Sequence, residues 1–392
     1  MSAISLPEHR RARSGVPQVD VPTVAIVASI VLLGLVIVTS ASMSIAGKDG
    51  VNPFQYLERQ LTVVLVGVIA AAVALAVRTE WLEKLSVPLL IVAALMLLVV
   101  LIPGIGYEVN GSRRWLRFGG FNFQASEAAR VMVLVFIARY AARRETELRT
   151  SALGLLRPLL VVAVFCLLLL AEPDFGAATV LAATAFGVLF MAGARLRDVL
   201  GIGVLGGLLL AIAALASPYR MSRITTFLDP WRDPFNSGFQ LTQSLIAIGR
   251  GGWTGVGLGE SVQKLFYLPE AHTDFLFAVL AEELGLLGVL LTLALFVALA
   301  WRAFHIAQLA ADAGLQFQCY LAVGFGIWVA TQAFINMGVN MGALPTKGLT
   351  LPFMSFGRSS MIVALCWVGI LLRVHHEAVQ VSRAPAGGSV RA

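Results

Sequence analysis

The sequence predicts an all-α, polytopic integral membrane protein with ten transmembrane helices, and three observations support that prediction. The 392 residues are 58% hydrophobic and only 13% charged, whereas soluble domains average about 25% charged residues. Apolar runs of about 20 residues recur along the chain, and each is long enough to cross the hydrocarbon core of a bilayer. The N-terminal stretch is polar and basic, and the apolar run that follows is too long for the apolar core of a signal peptide.

The predicted spans define the domain organisation. They are residues 22–45, 60–77, 83–103, 126–142, 156–171, 176–193, 199–217, 274–301, 316–340 and 359–374. We divide the chain into an N-terminal tail (1–21), a membrane domain (22–374) and a C-terminal tail (375–392). Residues 218–273 form a long loop between spans 7 and 8, and loops of such length are usually functional.

Basic residues predict the orientation. With the N-terminus in the cytoplasm, the inner segments contain 16 of the 29 Lys and Arg residues. The short outer segments contain eight, once the five in the long loop are set aside. Both termini are therefore expected in the cytoplasm, and the 218–273 loop is expected outside. The net charge of +7 fits a protein that faces anionic lipid headgroups, not nucleic acid.

Ionisable residues are costly within a membrane and usually functional. Here they gather in four stretches at the predicted outer side. In the first stretch, Glu127 and Arg130 are three residues apart, so they share a helix face and can pair. An interfacial ion pair, with neighbouring arginines reaching lipid headgroups, is the alternative interpretation. The candidate substrate-binding residues of this stretch are Arg113, Arg114, Trp115, Glu127 and Arg130.

The second stretch is AEPDFG, residues 171–176, where Pro173 breaks a helix and Asp174 can cap the next one, so turn chemistry explains it. The third places Glu270, His272 and Asp274 at the start of span 8. A single acid there could simply complement the helix dipole. Three ionisable residues beside a long outer loop favour a functional site.

Two further acids, Glu282 and Glu283, lie deeper in span 8, and we expect them to pair with groups on neighbouring spans. The fourth stretch is residues 332–360. Its residues Gln332, Asn336 and Asn340 form one polar stripe, for which interhelical hydrogen bonding is a sufficient explanation. Lys347 and Ser355 follow, in a segment that is broken by prolines.

The chain resembles the SEDS family (shape, elongation, division, sporulation), and within that family it is most similar to the division-site member. The resemblance covers nearly the whole length. It rests on the motifs NGSRRW, QASEAAR, EPDFG, FYLPEAHTDFLFAVLAEELG and PTKGLTLPFMSFGRSS. Three departures stand out: QASE replaces QPSE, Arg130 replaces a common Lys, and SFGRSS replaces SYGGSS. The last change adds a charge, Arg358, beside the expected cavity.

The resemblance implies a peptidoglycan glycosyltransferase that polymerises lipid II at the outer face of the cytoplasmic (inner) membrane, at the division septum. It also implies that Asp274 is the essential aspartate. The implied partners are a class B penicillin-binding protein transpeptidase (FtsI-like) and the division proteins FtsQ, FtsL and FtsB. A lipid II transporter and a non-catalytic division scaffold remain alternatives.

The chemistry of that reaction needs a base for the acceptor hydroxyl, which Asp274 can provide. It also needs cations for the lipid pyrophosphate that leaves, and Arg113, Arg114, Arg130 and Lys347 are candidates. Asp274 and Glu270 could instead hold Mg²⁺ or Mn²⁺, and the sequence does not separate these roles. Finally, a short helix within NSGFQLTQSLIAIGRGGW, with a glycine hinge behind it, is expected to cover the cavity as a lid.

Overall fold

The computed structural model describes residues 18–48, 52–109, 112–118, 121–215, 226–265 and 267–383. The predicted N-terminal tail therefore lies almost wholly outside the described residues. The predicted C-terminal tail is described only as far as residue 383, and that part continues the last helix beyond the predicted end of span 10 at residue 374.

Helices dominate the described residues, and ten of them coincide in order with the ten predicted spans. The helices are α1 Val21–Lys48, α2 Gln55–Ala76, α3 Thr79–Leu101, α4 Ala125–Arg143, α5 Glu145–Thr150, α6 Ala152–Ala171, α7 Phe175–Met191, α8 Leu196–Leu215, α9 Phe239–Gly251, α10 Leu276–Asp312, α11 Gln316–Asn340 and α12 Arg358–Arg383. Seven of the described helices are long and apolar enough to cross a membrane by length and composition. The helices α5 and α9 lie in connections between spans.

The prediction of an all-α chain is wrong in one place, the connection between α3 and α4. Three short strands, β1 Gly106–Val109, β2 Ser112–Phe118 and β3 Phe121–Gln124, form an antiparallel sheet in the order β1-β2-β3. The strands β2 and β3 are a hairpin, because Trp115 pairs with Gln124 and Phe118 pairs with Phe121. The hairpin delivers the chain directly into the first turn of α4.

The long helix α10 is interrupted at Gly285, whose backbone is left-handed, with φ of 63°. The interruption leaves backbone groups of α10 without partners in the helix, and the loop segment 252–257 forms hydrogen bonds with them. Leu286 N donates to Gly252 O at 2.9 Å, and Val256 N donates to Glu282 O at 3.0 Å. A Cβ at Gly285 would lie 2.3 Å from the backbone nitrogen of Gly255, so only glycine fits this close approach.

The two deep acids of α10 are fully buried and pair with protein groups, but of the four partners named below only Ser40 lies on a neighbouring span, as was expected of all. Glu283 accepts hydrogen bonds from Ser40 Oγ on α1 and from Lys264 Nζ. Glu282 accepts hydrogen bonds from Arg250 and Ser261. Three of these four partners belong to the 218–273 loop and not to a span, so the acids tie that loop onto α10.

At the other end of the bundle, buried polar groups join the helices to one another. Asp20 before α1 accepts from Arg302 Nη2 on α10 at 2.6 Å. Glu377 on α12 accepts hydrogen bonds from the backbone and side chain of Thr79 and from Gln318. Buried polar groups that are satisfied in this way fix how helices meet.

Candidate functional site

A cavity of about 450 Å³ opens at the end of the bundle where β2, the α6–α7 turn, the start of α10 and the α11–α12 connection meet. The predicted residues Arg114, Trp115, Glu270, Asp274 and Lys347 line it together. These residues come from three of the four polar stretches that the sequence singled out. The fold therefore gathers most of the predicted site around one space.

Asp274 lies in the turn that precedes α10, held by the polar stripe of α11. Asn336 Nδ2 donates to the carbonyl oxygen of Asp274 at 2.9 Å, and Asn340 Nδ2 donates to the same oxygen at 3.1 Å. Asn336 also donates to Leu349 O at 2.6 Å, on the opposite wall. The stripe thus makes hydrogen bonds between segments, which is the structural role that the sequence predicted for it. Those bonds fix the backbone that carries the Asp274 carboxylate.

The surroundings of Asp274 make it a weaker acid than a free aspartate. Burial is the largest cause, and the neighbouring charge of Glu270 adds to it, so the pKa of Asp274 rises to about 7. Asp174 acts in the same direction, while the positive charge of Arg114 opposes it. A carboxylate with such a pKa can exchange a proton near neutral pH.

Glu270 is held in an uncommon backbone conformation beside Asp274. Its φ is 57°, in the left-handed region that non-glycine residues rarely adopt. The hydroxyl of Thr273 donates to its carboxylate at 2.6 Å, and Phe275 N donates to its carbonyl oxygen at 3.2 Å. Such conformations persist where the surrounding structure determines them, often at functional sites.

Arg114 reaches from β2 to the turn between α6 and α7. Its Nε donates to Glu172 O at 3.1 Å and its Nη2 donates to Pro173 O at 2.5 Å, so the guanidinium is fixed at the cavity wall. The Glu172 carboxyl beneath it is fully buried. Burial and the nearby charge of Asp174 raise the pKa of Glu172 to about 8, against the opposing charge of Arg114, so this carboxyl is mostly neutral at pH 7.

Lys347 contributes a second cation from the α11–α12 connection. Its Nζ donates to the hydroxyl of Thr179 on α7 at 3.0 Å. Burial lowers the pKa of Lys347, because an ammonium group loses hydration inside the protein. Trp115 lines the same cavity from β2, where its ring can lie against a sugar.

Glu127 and Arg130 are buried at the start of α4 and do not line the cavity. They form the expected ion pair with each other. Arg130 Nη1 also donates to Gln332 Oε1 on α11 at 3.1 Å, and Gln332 Nε2 donates to Thr350 O in the cavity wall at 3.0 Å. In this geometry the two residues position a cavity wall, and their contact with substrate stays a prediction.

Three other candidates also lie away from the cavity. Arg113 points to the other face of the hairpin and pairs with Glu108 at 3.0 Å. The His272 ring packs among aromatic rings, and burial lowers its pKa. Ser355 Oγ accepts from Leu351 N at 2.9 Å within its own turn. These contacts support the local fold and do not place the side chains at a substrate.

Several cavity residues were not singled out by sequence reasoning. Asp174 was interpreted as a helix cap, and its Oδ1 does accept from Ala177 N at 3.0 Å. Its Oδ2 also accepts from Gln124 and Ser126, and the residue lines the cavity. Others include Ser112, Gln124, Phe175, Gly176, Gly348, Thr350, Gly357, Ser359 and Ser360. Arg358 was noticed only as a departure from the family motif.

The expected lid does not cover the cavity. The expected helix exists as α9, Phe239–Gly251, and it ends at glycine as predicted. Of the described part of the 218–273 loop, however, only Glu270 and Thr273 line the cavity. Ser244 on α9 donates to Asn340 O at 2.8 Å. The glycines behind the helix are hydrogen-bonded to the break in α10, which leaves no free hinge there.

The residues that the structure describes contain no group of three or more His, Cys, Asp or Glu side chains placed to hold a metal ion. A metal cage built only from these protein side chains is therefore not supported. Magnesium is commonly held by one or two carboxylates together with substrate phosphates. Asp274 and Glu270 fit only that second arrangement, in which the substrate completes the ligand set.

The comparisons with known proteins show which family the chain resembles. The FtsW/RodA/SpoVE family, described as "Cell cycle protein", matches residues 22–380. The chain belongs to this family. The resemblance drawn from the sequence motifs is thereby confirmed.

Individual relatives and solved structures are similar over most of their length. A "Probable peptidoglycan glycosyltransferase FtsW" of Thioalkalivibrio sulfidiphilus is 54% identical over 89% of this chain and 87% of its own. One of the same description from Nitrosococcus halophilus is 53% identical over 92% and 93%. A chain of a peptidoglycan synthase complex that coordinates polymerization and crosslinking is 33% identical, with a TM-score of 0.76 over 92% of this chain and 98% of that chain. The crystal structure of the Thermus thermophilus rod shape determining protein RodA is 30% identical, with a TM-score of 0.66 over 92% and 97%.

Proposed function

We propose that this chain is a peptidoglycan glycosyltransferase that polymerises lipid II during septal wall synthesis. The observation that carries the proposal is Asp274, a carboxylate with a pKa of about 7 in a cavity that it shares with Arg114 and Lys347. Membership of the family and the names of the relatives support the same activity.

Asp274 acts as the general base in this proposal. The acceptor is a sugar hydroxyl, which attacks the anomeric carbon of the donor sugar while its proton passes to the carboxylate. A base works best when its pKa is near the working pH, because it is then both ionised and basic. The hydrogen bonds from Asn336 and Asn340 to the backbone of Asp274 keep the carboxylate in position.

The donor loses a lipid pyrophosphate, on which negative charge develops as its bond to the sugar breaks. Arg114 and Lys347 stabilise that charge. Arg114 is already fixed by two carbonyl oxygens, so little reorganisation is needed as the charge appears. The hydroxyl of Thr179 similarly holds Lys347 in the cavity wall.

A divalent cation is compatible with this arrangement only as a complex with substrate. Mg²⁺ or Mn²⁺ would be held by Asp274, Glu270 and the pyrophosphate, and it would add positive charge at the leaving group. No step of the mechanism depends on it, because the protein cations can perform that role.

All ten helices that match predicted spans cross the membrane in this proposal, and both termini lie in the cytoplasm. The cavity then opens on the extracytoplasmic side. Each segment that lines the cavity lies at the connection between an odd-numbered predicted span and the next even-numbered span. All of these connections lie on the same side of the membrane, opposite to the N-terminus, which supports a cavity that opens outward. The excess of Lys and Arg on the opposite segments supports the same orientation.

The proposed partner is a class B penicillin-binding protein of the FtsI type, which would crosslink the strands made here. A similar chain has been solved in a peptidoglycan synthase complex that couples polymerization to crosslinking. Work beside FtsQ, FtsL and FtsB at the septum belongs to the same proposal and rests on the family resemblance alone.

A lipid II transporter is the second candidate, since polar cavities between helices also suit transport. Transport needs a route to the cytoplasmic side, where Asp20 with Arg302 and Glu377 with Thr79 join the helix ends. The test uses purified protein and fluorescent lipid II. Glycan strands on a gel support the polymerase, whereas translocation in proteoliposomes without any strands supports the transporter.

A further inference from the structure

Arg358 is a cation in the cavity that neither helix stability nor a protein partner explains. It is the first residue of α12, and it lines the cavity. Within the described ranges, its guanidinium has no hydrogen-bond or ion-pair partner. A positive charge in the first turn of a helix faces the positive end of the helix dipole, which lowers stability. Its position suits an anion that enters the cavity.

The other two cations discussed above are already engaged. Arg114 donates to the carbonyl oxygens of Glu172 and Pro173, and Lys347 donates to the hydroxyl of Thr179. In contrast, no residue that the structure describes accepts a hydrogen bond from the Arg358 guanidinium, so its N–H donors are available to a ligand. A guanidinium with free donors matches the geometry of a phosphate, which it can bind through two parallel hydrogen bonds.

The segment that carries Arg358 adjoins the turn that carries Asp274, because Phe356 N donates to His272 O at 3.0 Å. The next residue, Ser359, accepts from Gln124 N at 2.9 Å and donates to Asn122 O at 3.2 Å, so this end of α12 is attached to β3. Asp274 and Arg358 thus line one cavity from two neighbouring segments.

We propose that Arg358 binds the pyrophosphate of the donor substrate. The inference rests on the proposed glycosyl transfer. In that reaction the bond from the acceptor oxygen to the anomeric carbon forms as the bond to the pyrophosphate oxygen breaks. The pyrophosphate leaves with the electron pair, and the proton goes to Asp274. Arg358 stabilises the negative charge that develops on the pyrophosphate as that bond breaks.

The substitution Arg358→Gln tests this proposal, with Arg117→Gln as the matched control. Arg117 is exposed on β2, stacks on Tyr107 and does not line the cavity. Loss of a charge-assisted hydrogen bond should lower kcat/KM for lipid II by about tenfold or more. Inhibition by undecaprenyl pyrophosphate should weaken by a similar factor, and inhibition by undecaprenyl monophosphate should weaken less. Arg358→Lys should fall between, since it keeps the charge and loses the planar fork.

The variant Arg358→Gly serves as the control for folding, because glycine is usual at this position in the family motif that the chain resembles. The glycine variant should show the same kinetic loss at an unchanged melting temperature. Unchanged inhibition by undecaprenyl pyrophosphate in Arg358→Gln would overturn the proposal. So would a kinetic loss that disappears when the substrate has a shortened stem peptide, since Arg358 would then bind a peptide carboxylate. Inactive wild-type protein would instead count against the proposed function, and inhibitor binding could still be compared by thermal shift.

Discussion

Replacing Lys264 with Met should loosen the 218–273 loop by leaving a buried acid without its counter-charge. The side chains of Lys264 and Glu283 are 6% and 0% exposed, and their charged atoms are 2.9 Å apart. Met has a similar length to Lys but no charge, so Glu283 would retain only the hydroxyl of Ser40. Removing one partner of a buried ion pair typically costs about 3–5 kcal/mol.

An exposed ion pair provides the matched control. Arg143 pairs with Glu83 at 3.0 Å, but the two side chains are 57% and 24% exposed. Breaking such a pair costs about 0–1 kcal/mol, because water solvates the charge that remains. The assay is the apparent melting temperature in detergent at a fixed scan rate, since proteins of this kind often unfold irreversibly. Limited proteolysis within residues 252–265 should report the loosened loop.

The double variant Lys264→Met with Glu283→Met separates the charge effect from lost packing. It removes both charges, and replacing a buried pair with apolar side chains is often neutral or stabilising. The melting temperature of the double variant should therefore recover most of what Lys264→Met loses. If Lys264→Met melts at the same temperature as Arg143→Met, the pair does not hold the loop and the reasoning is wrong.

Three further predictions concern the site. Polymerisation should rise with pH through about 7, because Asp274 must lose its proton to act as base and its pKa is raised to about 7; initial rates between about pH 5.5 and 8.5 test this, and a flat profile would contradict it. The exchange Glu127→Arg with Arg130→Glu should recover much of the stability that either single charge loss removes, and a double-mutant cycle on melting temperature measures the coupling; no recovery would show that the two act separately. Chelation by EDTA should leave the melting temperature unchanged, because any divalent cation would be held together with substrate phosphates; a lower melting temperature on chelation would indicate a metal bound by the protein alone.

The membrane helices could be predicted from sequence because each is a long apolar run with a simple requirement, to satisfy its backbone within one segment. The pairing of Glu282 and Glu283 followed from the cost of burying charge. Helix ends were less predictable. Helix α10 runs to Asp312, well past the predicted end at residue 301, because Ala303, Ile306, Ala307 and Ala310 still pack inside the protein beyond Arg302.

The features that sequence reasoning missed depend on contacts between distant segments. The strand β2 carries three arginines and only short apolar alternation, so its pairing with β1 and β3 gave no clear pattern. The loop glycines were expected to form a hinge, yet the backbone break at Gly285 captures them through hydrogen bonds. Asp174 has the sequence signal of a helix cap, and only the tertiary fold brings it to the cavity.

The most direct test of the account is the rate of glycan synthesis by Asp274→Asn. Asparagine keeps the size of the side chain and removes its charge and basicity, so a fall of at least about 10² in rate is expected from loss of a positioned base. The measurement compares purified wild-type and variant protein with fluorescent lipid II, and both should melt at similar temperatures. Strand synthesis by the variant at the wild-type rate would contradict the assignment of Asp274 as the base.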